Sequence, residues 1–398
     1  MPQEFKIPAS EIENRITEIQ NRLRKKEIDA LLIVQRVDLF YFSGTAQNGF
    51  LFIPSEGNPL LLIRRYMPRA GRESSIGNRV EINSPKEVPE RIVEFYGQLP
   101  ETLSFELDVV PVKEFEFYRG LFPRQNCVDG SPLILETRMI KSPWEIEQME
   151  KTAQLSSQTF EYIRNNIRPG FTEMEFGGMY EAYARKIGHG GRLRVRDYQT
   201  EGYSWHILSG SSGGMVGLLD SPASGQGTSA AFPVGGGNKK LAPDEPIMID
   251  MAFVFNGFHM DETRMFAIGS IPKEALDASL ATIEIHNTVL DRVRPGISIK
   301  DLFDTALTKA EKLGYAEPYL GPPGYKVQFI GHGIGLELIE QPILRAKDDS
   351  PLKPGMTFAL EPKMVFKDRF CAGIESVFTV TETGHRLISQ IPVELFVC

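Results

Sequence analysis

Apolar and polar residues alternate on both sides of a two-residue turn near the middle of the chain, a pattern that predicts a β-hairpin. Residues 247–255 and 258–266 are rich in Val, Phe, Ile and Met. The dipeptide Asn256-Gly257 between them is a preferred hairpin turn. The hairpin therefore has both its strands and its register defined by local sequence.

Two carboxylates fall on one face of this predicted hairpin. Closing the chain at the turn places Ala252 opposite Asp261 and Asp250 opposite Thr263, since side chains on a strand repeat every second residue. Asp250 and Asp261 then lie diagonally across from each other, with backbones roughly 7–8 Å apart, within reach of shared cations. Two unpaired buried acids would be costly. From this stretch alone, an exposed hairpin with ordinary surface acids remains an equal alternative.

The first 140 residues alternate between helical and strand patterns and predict an α/β domain. Ser10 and Glu13 have the spacing of a capping box at the start of a helix. Buried strands are predicted at residues 30–34, 50–53 and 60–63. This region contains no cluster of His, Cys or carboxylates, so we expect it to shape access or assembly.

A second domain is predicted to begin near Lys141, where helix-start signals follow one another. Ser142 with Glu145, and later Thr172 with Glu175, have the spacing of capping boxes. A further helix is predicted from a stripe of apolar residues at Leu276, Leu280, Ile283, Leu290 and Val293.

The second domain contains an internal duplication. The sequence Arg-Pro-Gly ends a predicted helix at residues 168–170 and again at 294–296, an offset of 126. The segment 241–250 matches 352–361, with nine residues from Leu to acid in each and an offset of 111. The first copy therefore holds extra chain, which we assign to a predicted loop at 209–237 with nine glycines in 29 residues.

Duplication predicts where the acids meet. Glu361 and Glu375 are the counterparts of Asp250 and Asp261, and two halves related by a pseudo-twofold axis would bring all four to one centre. Four such carboxylates stay ionised only beside a large positive charge. With one imidazole they suit Mn, Fe, Co or Zn, in a pair roughly 3.5–4 Å apart. The imidazole is predicted to be His332, which lies between Gly331 and Gly333. A lone His in such a turn is usually incidental; four spaced acids make a ligand the better interpretation.

Composition limits the function classes. Hydrophobic residues make up 41% and charged residues 24%, as in soluble globular proteins, and a net charge of -8 argues against nucleic acid as a partner. Three scattered cysteines suggest neither disulfides nor a zinc knuckle. No segment has the pattern of a signal peptide or a membrane helix. We therefore expect a cytoplasmic protein with no membrane association.

The acids and histidine, in their contexts, resemble a known family. The motifs IDMAFVFNGFHMDETRMF, GHGIGLELIEQP, ALEP and AGIESVFTVTETG are similar to those of the metallopeptidases that include methionine aminopeptidase, aminopeptidase P and prolidase, with creatinase as a relative. The resemblance implies a creatinase-like α/β N-terminal domain at residues 1–140. It also implies a duplicated α+β "pita-bread" catalytic domain at 141–398, two divalent metal ions (Mn, Co, Fe or Zn) and a homodimer.

The resemblance also implies roles for the individual residues. The metal ligands would be Asp250, Asp261, His332, Glu361 and Glu375, with Asp261 and Glu375 bridging both ions. Glu361 would additionally be catalytic, carrying the proton of the attacking water. The ions would activate that water and polarise the carbonyl of the substrate.

Three positions depart from the peptidase pattern. Peptidases of this family place a histidine after a proline where this chain has Val234, or Gly217 in a second alignment. They place a second histidine at the position of Ile339, and prolidase-like members often have an arginine at the position of Gly373. These groups would hold the substrate carbonyl, the leaving amine or a terminal carboxylate, so their replacement puts Xaa-Pro specificity in question.

Other residues are candidates to take over these roles. His259 precedes Asp261 by two residues, and His206 lies just before the glycine-rich segment, so both are catalytic candidates. Each also has a purely structural interpretation. His259 would be a polar residue at the tip of the hairpin, and His206 would pack in the core beside Trp205. Thr263 is a candidate hydrogen-bond donor to a metal ligand, and Tyr203 could line the substrate pocket.

The predicted function is a dinuclear metal-dependent hydrolase that resembles Xaa-Pro dipeptidase and aminopeptidase P and cleaves the N-terminal peptide bond of small peptides. The alternative is a C–N hydrolase or lyase of the same fold acting on a small metabolite, which Val234, Ile339 and Gly373 favour. A binding protein without turnover is disfavoured because it would not need five intact ligands.

Overall fold

A computed structural model of the protein describes residues 5–197, 205–218 and 221–398. The chain divides into two compact units, Met1–Arg138 and Met139–Cys398, and each is described by itself. None of the helices in these described ranges is long and apolar enough to cross a lipid bilayer.

The first unit is an α/β domain with a six-stranded mixed sheet. Its helices are α1 (Ala9–Lys25), α2 (Arg36–Ser43), α3 (Met67–Glu73), α4 (Val88–Tyr96), α5 (Val112–Leu121) and α6 (Ser131–Met139). Its strands are β1 (Ala30–Ile33), β2 (Gly49–Pro54), β3 (Leu60–Arg64), β4 (Asn78–Ile82), β5 (Thr102–Phe105) and β6 (Asn126–Asp129). The strand order is β4-β3-β2-β1-β5-β6, with β1–β2 and β2–β3 antiparallel and the other pairs parallel.

The three predicted strands of this unit are confirmed as β1, β2 and β3, and their apolar residues are buried in its core. The predicted capping box at Ser10 and Glu13 is wrong. Helix α1 begins at Ala9, two residues earlier than predicted, and Pro8 occupies the capping position without a side-chain hydrogen bond. Ser10 therefore lies inside the first turn, where it cannot serve as the residue preceding the helix.

The second unit contains the remaining elements. Its helices are α7 (Pro143–Asn166), α8 (Glu173–Ile187), α9 (Lys273–Leu290) and α10 (Ile299–Lys312). Its strands are β7 (Trp205–Ser209), β8 (Ile247–Phe255), β9 (Phe258–Ala267), β10 (Phe329–Gly333), β11 (Glu340–Arg345), β12 (Thr357–Leu360), β13 (Lys363–Phe366), β14 (Phe370–Gly373), β15 (Ser376–Val380), β16 (His385–Leu387) and β17 (Phe396–Val397).

The order of elements in this unit repeats, as the duplication predicted. A helix pair, α7 and α8, precedes a sheet ordered β17-β9-β8-β7, and a second pair, α9 and α10, precedes a sheet ordered β11-β10-β12-β15-β16. Each helix pair contributes to the hydrophobic core beside its own sheet. Asp250 and Asp261 lie on strands β8 and β9 of the first sheet, whereas Glu361 follows β12 and Glu375 precedes β15 of the second.

Helix caps and faces in this unit largely follow the sequence pattern. The capping boxes at Ser142 and Thr172 are confirmed, with reciprocal hydrogen bonds to Glu145 and Glu175. The predicted apolar stripe of α9 is partly wrong, since Leu280 is 52% exposed. The buried face of α9 is instead formed by small residues such as Ala275, Ala278, Ser279 and Ala281, together with Ile285. Small side chains allow the closer packing that a larger apolar stripe would prevent.

The predicted hairpin is confirmed in strand and register. Asn256 and Gly257 have φ values of 52° and 90°, as a type I′ turn requires. Asp250 pairs with Thr263 and Ala252 with Asp261. The alternative of an exposed hairpin is excluded, because every residue of β9 is buried.

The two halves of the second unit join beside this hairpin. Thr263 and Glu375 exchange backbone hydrogen bonds of 3.3 and 3.1 Å, which form a bridge between β9 and the start of β15. The fully buried guanidinium of Arg264 donates to the carbonyl oxygens of Thr263, Glu375, Ile391 and Pro392 at 2.5–2.9 Å. Arg264 therefore fixes the backbone on both sides of the bridge.

The substitution Arg264→Met is expected to lower the free energy of unfolding by about 3 kcal/mol or more. The carbonyl oxygens of Ile391 and Pro392 would lose the Arg264 donor, and those of Thr263 and Glu375 would keep only their backbone donors, at roughly 1–3 kcal/mol for each oxygen left unsatisfied. Denaturant titration followed by circular dichroism measures the effect. The control Arg369→Met removes an exposed ion pair with Glu274 and is expected to change stability far less. Equal stability losses in the two variants would contradict the role assigned to Arg264.

Candidate metal centre

The structure gathers the five predicted metal ligands around one cavity. Asp250, Asp261, His332, Glu361 and Glu375 all line a cavity of about 180 Å³ in the second unit. All but the half-buried Asp250 are buried. The duplicated scaffold thus brings five side chains, spread between positions 250 and 375 of the chain, to a single centre.

The side chain of His332 has the orientation expected of a metal ligand. It lies on β10, and its Nδ1 is 3.0 Å from the carbonyl oxygen of Gly333, which is a hydrogen-bond acceptor. The proton is therefore on Nδ1, and the lone pair of Nε2 faces the cavity. Nε2 is 3.8 Å from Asp261 Oδ2 and 3.9 Å from both Glu361 Oε1 and Glu375 Oε1.

Of these residues, Asp261, His332 and Glu375 could hold one divalent cation. Donors around a tetrahedral ion at roughly 2.0–2.2 Å lie about 3.4 Å from one another, a few tenths of an ångström less than the distances from His332 Nε2 to the oxygens of Asp261 and Glu375. Glu375 Oε1 is buried and has no hydrogen-bond partner among the described residues, so it is an acceptor that a cation would satisfy. Asp261, His332 and Glu375 also form a buried group in which the ligand atoms lie within 4.8 Å of one another.

A lysine that sequence analysis did not identify lies on the other side of the carboxylates. Lys363 is 1% exposed, and its Nζ donates to Asp250 Oδ2, Glu361 Oε2 and Glu375 Oε2 at 2.9, 2.8 and 3.0 Å. Three donors and three carboxylate oxygens satisfy the ammonium fully. On this side of the centre, the oxygens of Asp250, Glu361 and Glu375 are therefore bonded to a side chain of the protein.

The charges at the centre divide the acids into two groups. Although burial opposes the charge of Lys363, its attraction to Asp250 and Glu361 raises the pKa of this lysine well above its usual value. Burial opposes ionisation of Asp250 too, yet the neighbouring Lys363 lowers the pKa of that acid. Burial and Asp250 raise the pKa of Asp261, and burial and Asp261 raise that of Glu375. Lys363 alone thus leaves Asp261 and Glu375 short of positive charge, which a divalent cation would supply.

Thr263 contacts a predicted metal ligand, as expected from its position opposite Asp250. Its Oγ1 donates to Glu375 Oε2 at 3.0 Å, so this oxygen accepts from both Thr263 and Lys363. Glu375 is thereby held with Oε1 free to point toward His332.

The two candidate catalytic histidines lie in different places. His206 on β7 lies opposite Asp250 and lines the cavity, and burial lowers the pKa of its imidazole. His259 is not among the described residues that line the cavity. Its Nδ1 contacts the carbonyl oxygen of Gly335 at 3.0 Å, and its Nε2 accepts from the backbone N–H of Arg194 at 3.2 Å. His259 shares a strand face with Asp261, but the chain around Gly335 covers its ring.

The positions that depart from the peptidase pattern are part of the same site. Val234 and Ile339 line the cavity with apolar surface. Gly373 pairs with Lys363 across β13 and β14, and a Cβ there would lie 2.7 Å from Lys363 Cγ. A larger residue at position 373 is thus incompatible with the observed lysine side chain. Tyr203, the other candidate pocket residue, lies outside the described ranges.

Lys363 was not predicted, because an ammonium group cannot bind a metal ion and the predicted ligands were acids and a histidine. The signal was its spacing, since residues two apart in an extended segment point the same way and Lys363 follows Glu361 by two. A lysine this close to the predicted metal ligands places a positive charge among the acids. The sequence alone could have predicted this charge.

Comparison with known protein families matches nearly the whole chain. The pattern of metallopeptidase family M24 matches residues 147–382, which is more than half of the chain. The chain belongs to metallopeptidase family M24. The creatinase/prolidase N-terminal domain matches residues 15–140, so the predicted fold class and the hydrolase class of this M24 protein are confirmed.

Individual relatives of this M24 protein are distant but similar over their full length. An uncharacterized peptidase of Staphylococcus epidermidis is 24% identical over 94% of this chain and 99% of its own. The Xaa-Pro dipeptidase of Pyrococcus furiosus is 23% identical over 96% of this chain and 100% of its own. The structure of an Xaa-Pro dipeptidase from Bacillus anthracis superposes with a TM-score of 0.82 at 21% identity, covering 97% and 100% of the two chains.

Cation binding at His332 is expected to stabilise this M24 protein. Adding Mn²⁺ or Co²⁺ to the EDTA-treated chain should raise its unfolding temperature. At a metal concentration one hundred times the dissociation constant, binding adds about 2.7 kcal/mol to the free energy of unfolding. His332→Ala should lose this shift, measured by differential scanning calorimetry. The control His385→Ala removes a half-buried histidine of β16 and should keep it. A full shift in His332→Ala would contradict the assignment of His332 as a ligand.

Proposed function

We propose that this M24 protein is a metal-dependent hydrolase that cleaves the N-terminal peptide bond of small peptides, similar to Xaa-Pro dipeptidase. The observation that carries the proposal is the placement of His332 Nε2 within 3.8–3.9 Å of three carboxylate oxygens at the wall of a small cavity. Relatives that span the whole chain and bear the name Xaa-Pro dipeptidase support the substrate class.

The cation would be held by Asp261, His332 and Glu375, with Glu361 Oε1 beside it. When bound, it would supply Lewis-acid polarisation of a carbonyl and increase the acidity of water. Glu361 is the candidate proton carrier, because Oε1 faces the His332 side and Oε2 is anchored by Lys363 at 2.8 Å. Glu361 accepts a proton from the attacking water and passes it to the amine nitrogen as the C–N bond breaks.

The walls of the cavity select for a small and largely apolar substrate. Most of the lining residues away from the acids are apolar: Leu218, Ala223, Val234, Phe329, Leu338, Ile339 and Ile343. Among the described lining residues, Lys363 alone carries a permanent positive charge, and three carboxylates already hold it. The described lining therefore supplies no second cation for the terminal carboxylate of a dipeptide.

The lack of a second cation among the described lining residues favours a second candidate function. Hydrolysis or elimination at a C–N bond of a small metabolite without a free carboxylate would need the same acids and apolar walls. Val234, Ile339 and Gly373 stand where the peptidases of the family place groups that hold the peptide, which fits such a substrate.

The homodimer and the cytoplasmic location remain predictions of the family resemblance and of composition. Sedimentation equilibrium of the full chain tests the first of them, since a monomer at micromolar concentration would contradict it.

Peptide cleavage should depend on the C-terminal group of the substrate. We expect the Mn²⁺- or Co²⁺-loaded chain to cleave Xaa-Pro amides, and peptides somewhat longer than two residues, more efficiently than free Xaa-Pro dipeptides. The amides place no charge against the apolar wall, and the longer peptides place their terminal carboxylate further from it. Ninhydrin or mass-spectrometric assay of a matched panel measures the order. If none of these substrates is cleaved, the peptidase proposal is wrong and the small-metabolite enzyme is the remaining candidate.

Glu361→Gln is expected to reduce kcat by a factor of roughly 10²–10⁴, the usual contribution of a positioned acid–base group. The amide keeps the shape of the side chain but cannot take up the proton. Glu382→Gln, at an exposed position, is the control and should retain full turnover. Substantial residual activity in a folded, metal-loaded Glu361→Gln protein would remove Glu361 from the reaction.

A further inference from the structure

Lys363 is built into the centre of the second unit and is not a surface lysine that happens to reach it. Lys363 is 1% exposed, and its Nζ lies within 3.0 Å of an oxygen from each of three different carboxylates. Burying an ammonium costs several kcal/mol unless charged partners compensate, and here three acids do so. The lysine is therefore as much a part of the charge balance as the acids themselves.

The carboxylate oxygens are divided between Lys363 and the cation site. The Oε2 atoms of Glu361 and Glu375 accept from Lys363, whereas their Oε1 atoms lie 3.9 Å from His332 Nε2. Asp250 has its Oδ2 on the lysine side, and Asp261 has its Oδ2 on the histidine side. The acids thus face two positive centres, of which one is supplied by the protein.

The family resemblance implies two ions, with Asp250 among their ligands and with Asp261 and Glu375 bridging both, so we take the ion beside Asp250 as the second. That ion would need Asp250 and Glu375, whose oxygens on this side are bonded to Lys363 at 2.9 and 3.0 Å. It would have to compete for them with a fixed positive charge at close range, where like charges repel strongly. The residues present fit the ion on the His332 side and do not fit the second.

The surrounding backbone is adapted to the lysine. Gly373 lies directly across from Lys363 on the neighbouring strand, and a Cβ at this position would come within 2.7 Å of Lys363 Cγ and 3.2 Å of Met248 Sδ. The stem of Lys363 therefore occupies the volume that a side chain at position 373 would take. Glycine at 373 and lysine at 363 form one structural feature.

We propose that this protein has a mononuclear metal centre in which the ammonium of Lys363 takes the place of the second metal ion. The inference extends the proposed function, because it assumes a cation at His332, but it concerns the number of ions and not the substrate. Lys363 balances Asp250 and orients Glu361 and Glu375 without being displaced by a second ion.

Metal stoichiometry tests the inference without an activity assay. The full-length chain is stripped with EDTA, saturated with Mn²⁺ or Zn²⁺, desalted and analysed by inductively coupled plasma mass spectrometry. The wild type should hold about one ion per chain, whereas Lys363→Ala, with both cation sites open, should hold about two. The control Lys367→Ala changes an exposed lysine on the same segment and should hold about one.

Each outcome of this experiment decides between the alternatives. Two ions in the wild type, or one in a folded Lys363→Ala protein, would overturn the inference. Should Lys363→Ala not fold, isothermal titration of the wild type decides alone, with one binding site expected and two contradicting it. A wild type that binds no ion overturns both this inference and the proposed function. One ion without any peptide cleavage overturns only the peptidase proposal.

Discussion

Four carboxylates share the interior of the second unit, and the rest of this structure is arranged to make their repulsion tolerable. Asp250, Asp261, Glu361 and Glu375 come from two copies of the same acid-bearing segment and converge on one cavity. Ionised acids at this burial require positive charge close by. Lys363 supplies one such charge through three hydrogen bonds, and the His332 side has the donor set of a divalent cation.

The precision of the centre comes from the way the two halves are joined. The bridge between Thr263 and Glu375 links the hairpin of the first copy to the second, and Arg264 fixes the carbonyl oxygens on both sides of it. Thr263 and Lys363 together hold Glu375 Oε2, which leaves Oε1 directed at His332. Positioning residues of this kind decide which oxygen of each acid faces which positive centre.

The sequence was sufficient to predict the hairpin and the gathering of the acids, because each depends on local rules. Asn256-Gly257 defines the turn, the turn defines the register, and the register places Asp250 and Asp261 on one face. Side-chain surroundings were harder to predict. His259 shares a face with Asp261, yet a distant backbone segment at Gly335 covers it, which strand parity cannot reveal. The role of Lys363 was not predictable because it depends on three acids that are far apart in the sequence. The glycine at position 373 is explained only by the lysine across from it.

The charge balance of this centre requires one cation and one ammonium group to share the four acids. Diffraction from crystals soaked in Mn²⁺ or Zn²⁺, with anomalous data at the absorption edge of the metal, tests this directly. The account predicts one anomalous peak among Asp261, His332, Glu361 and Glu375, with Lys363 still bonded to Asp250. Two peaks of comparable height, with the Lys363 side chain displaced from Asp250, would contradict it.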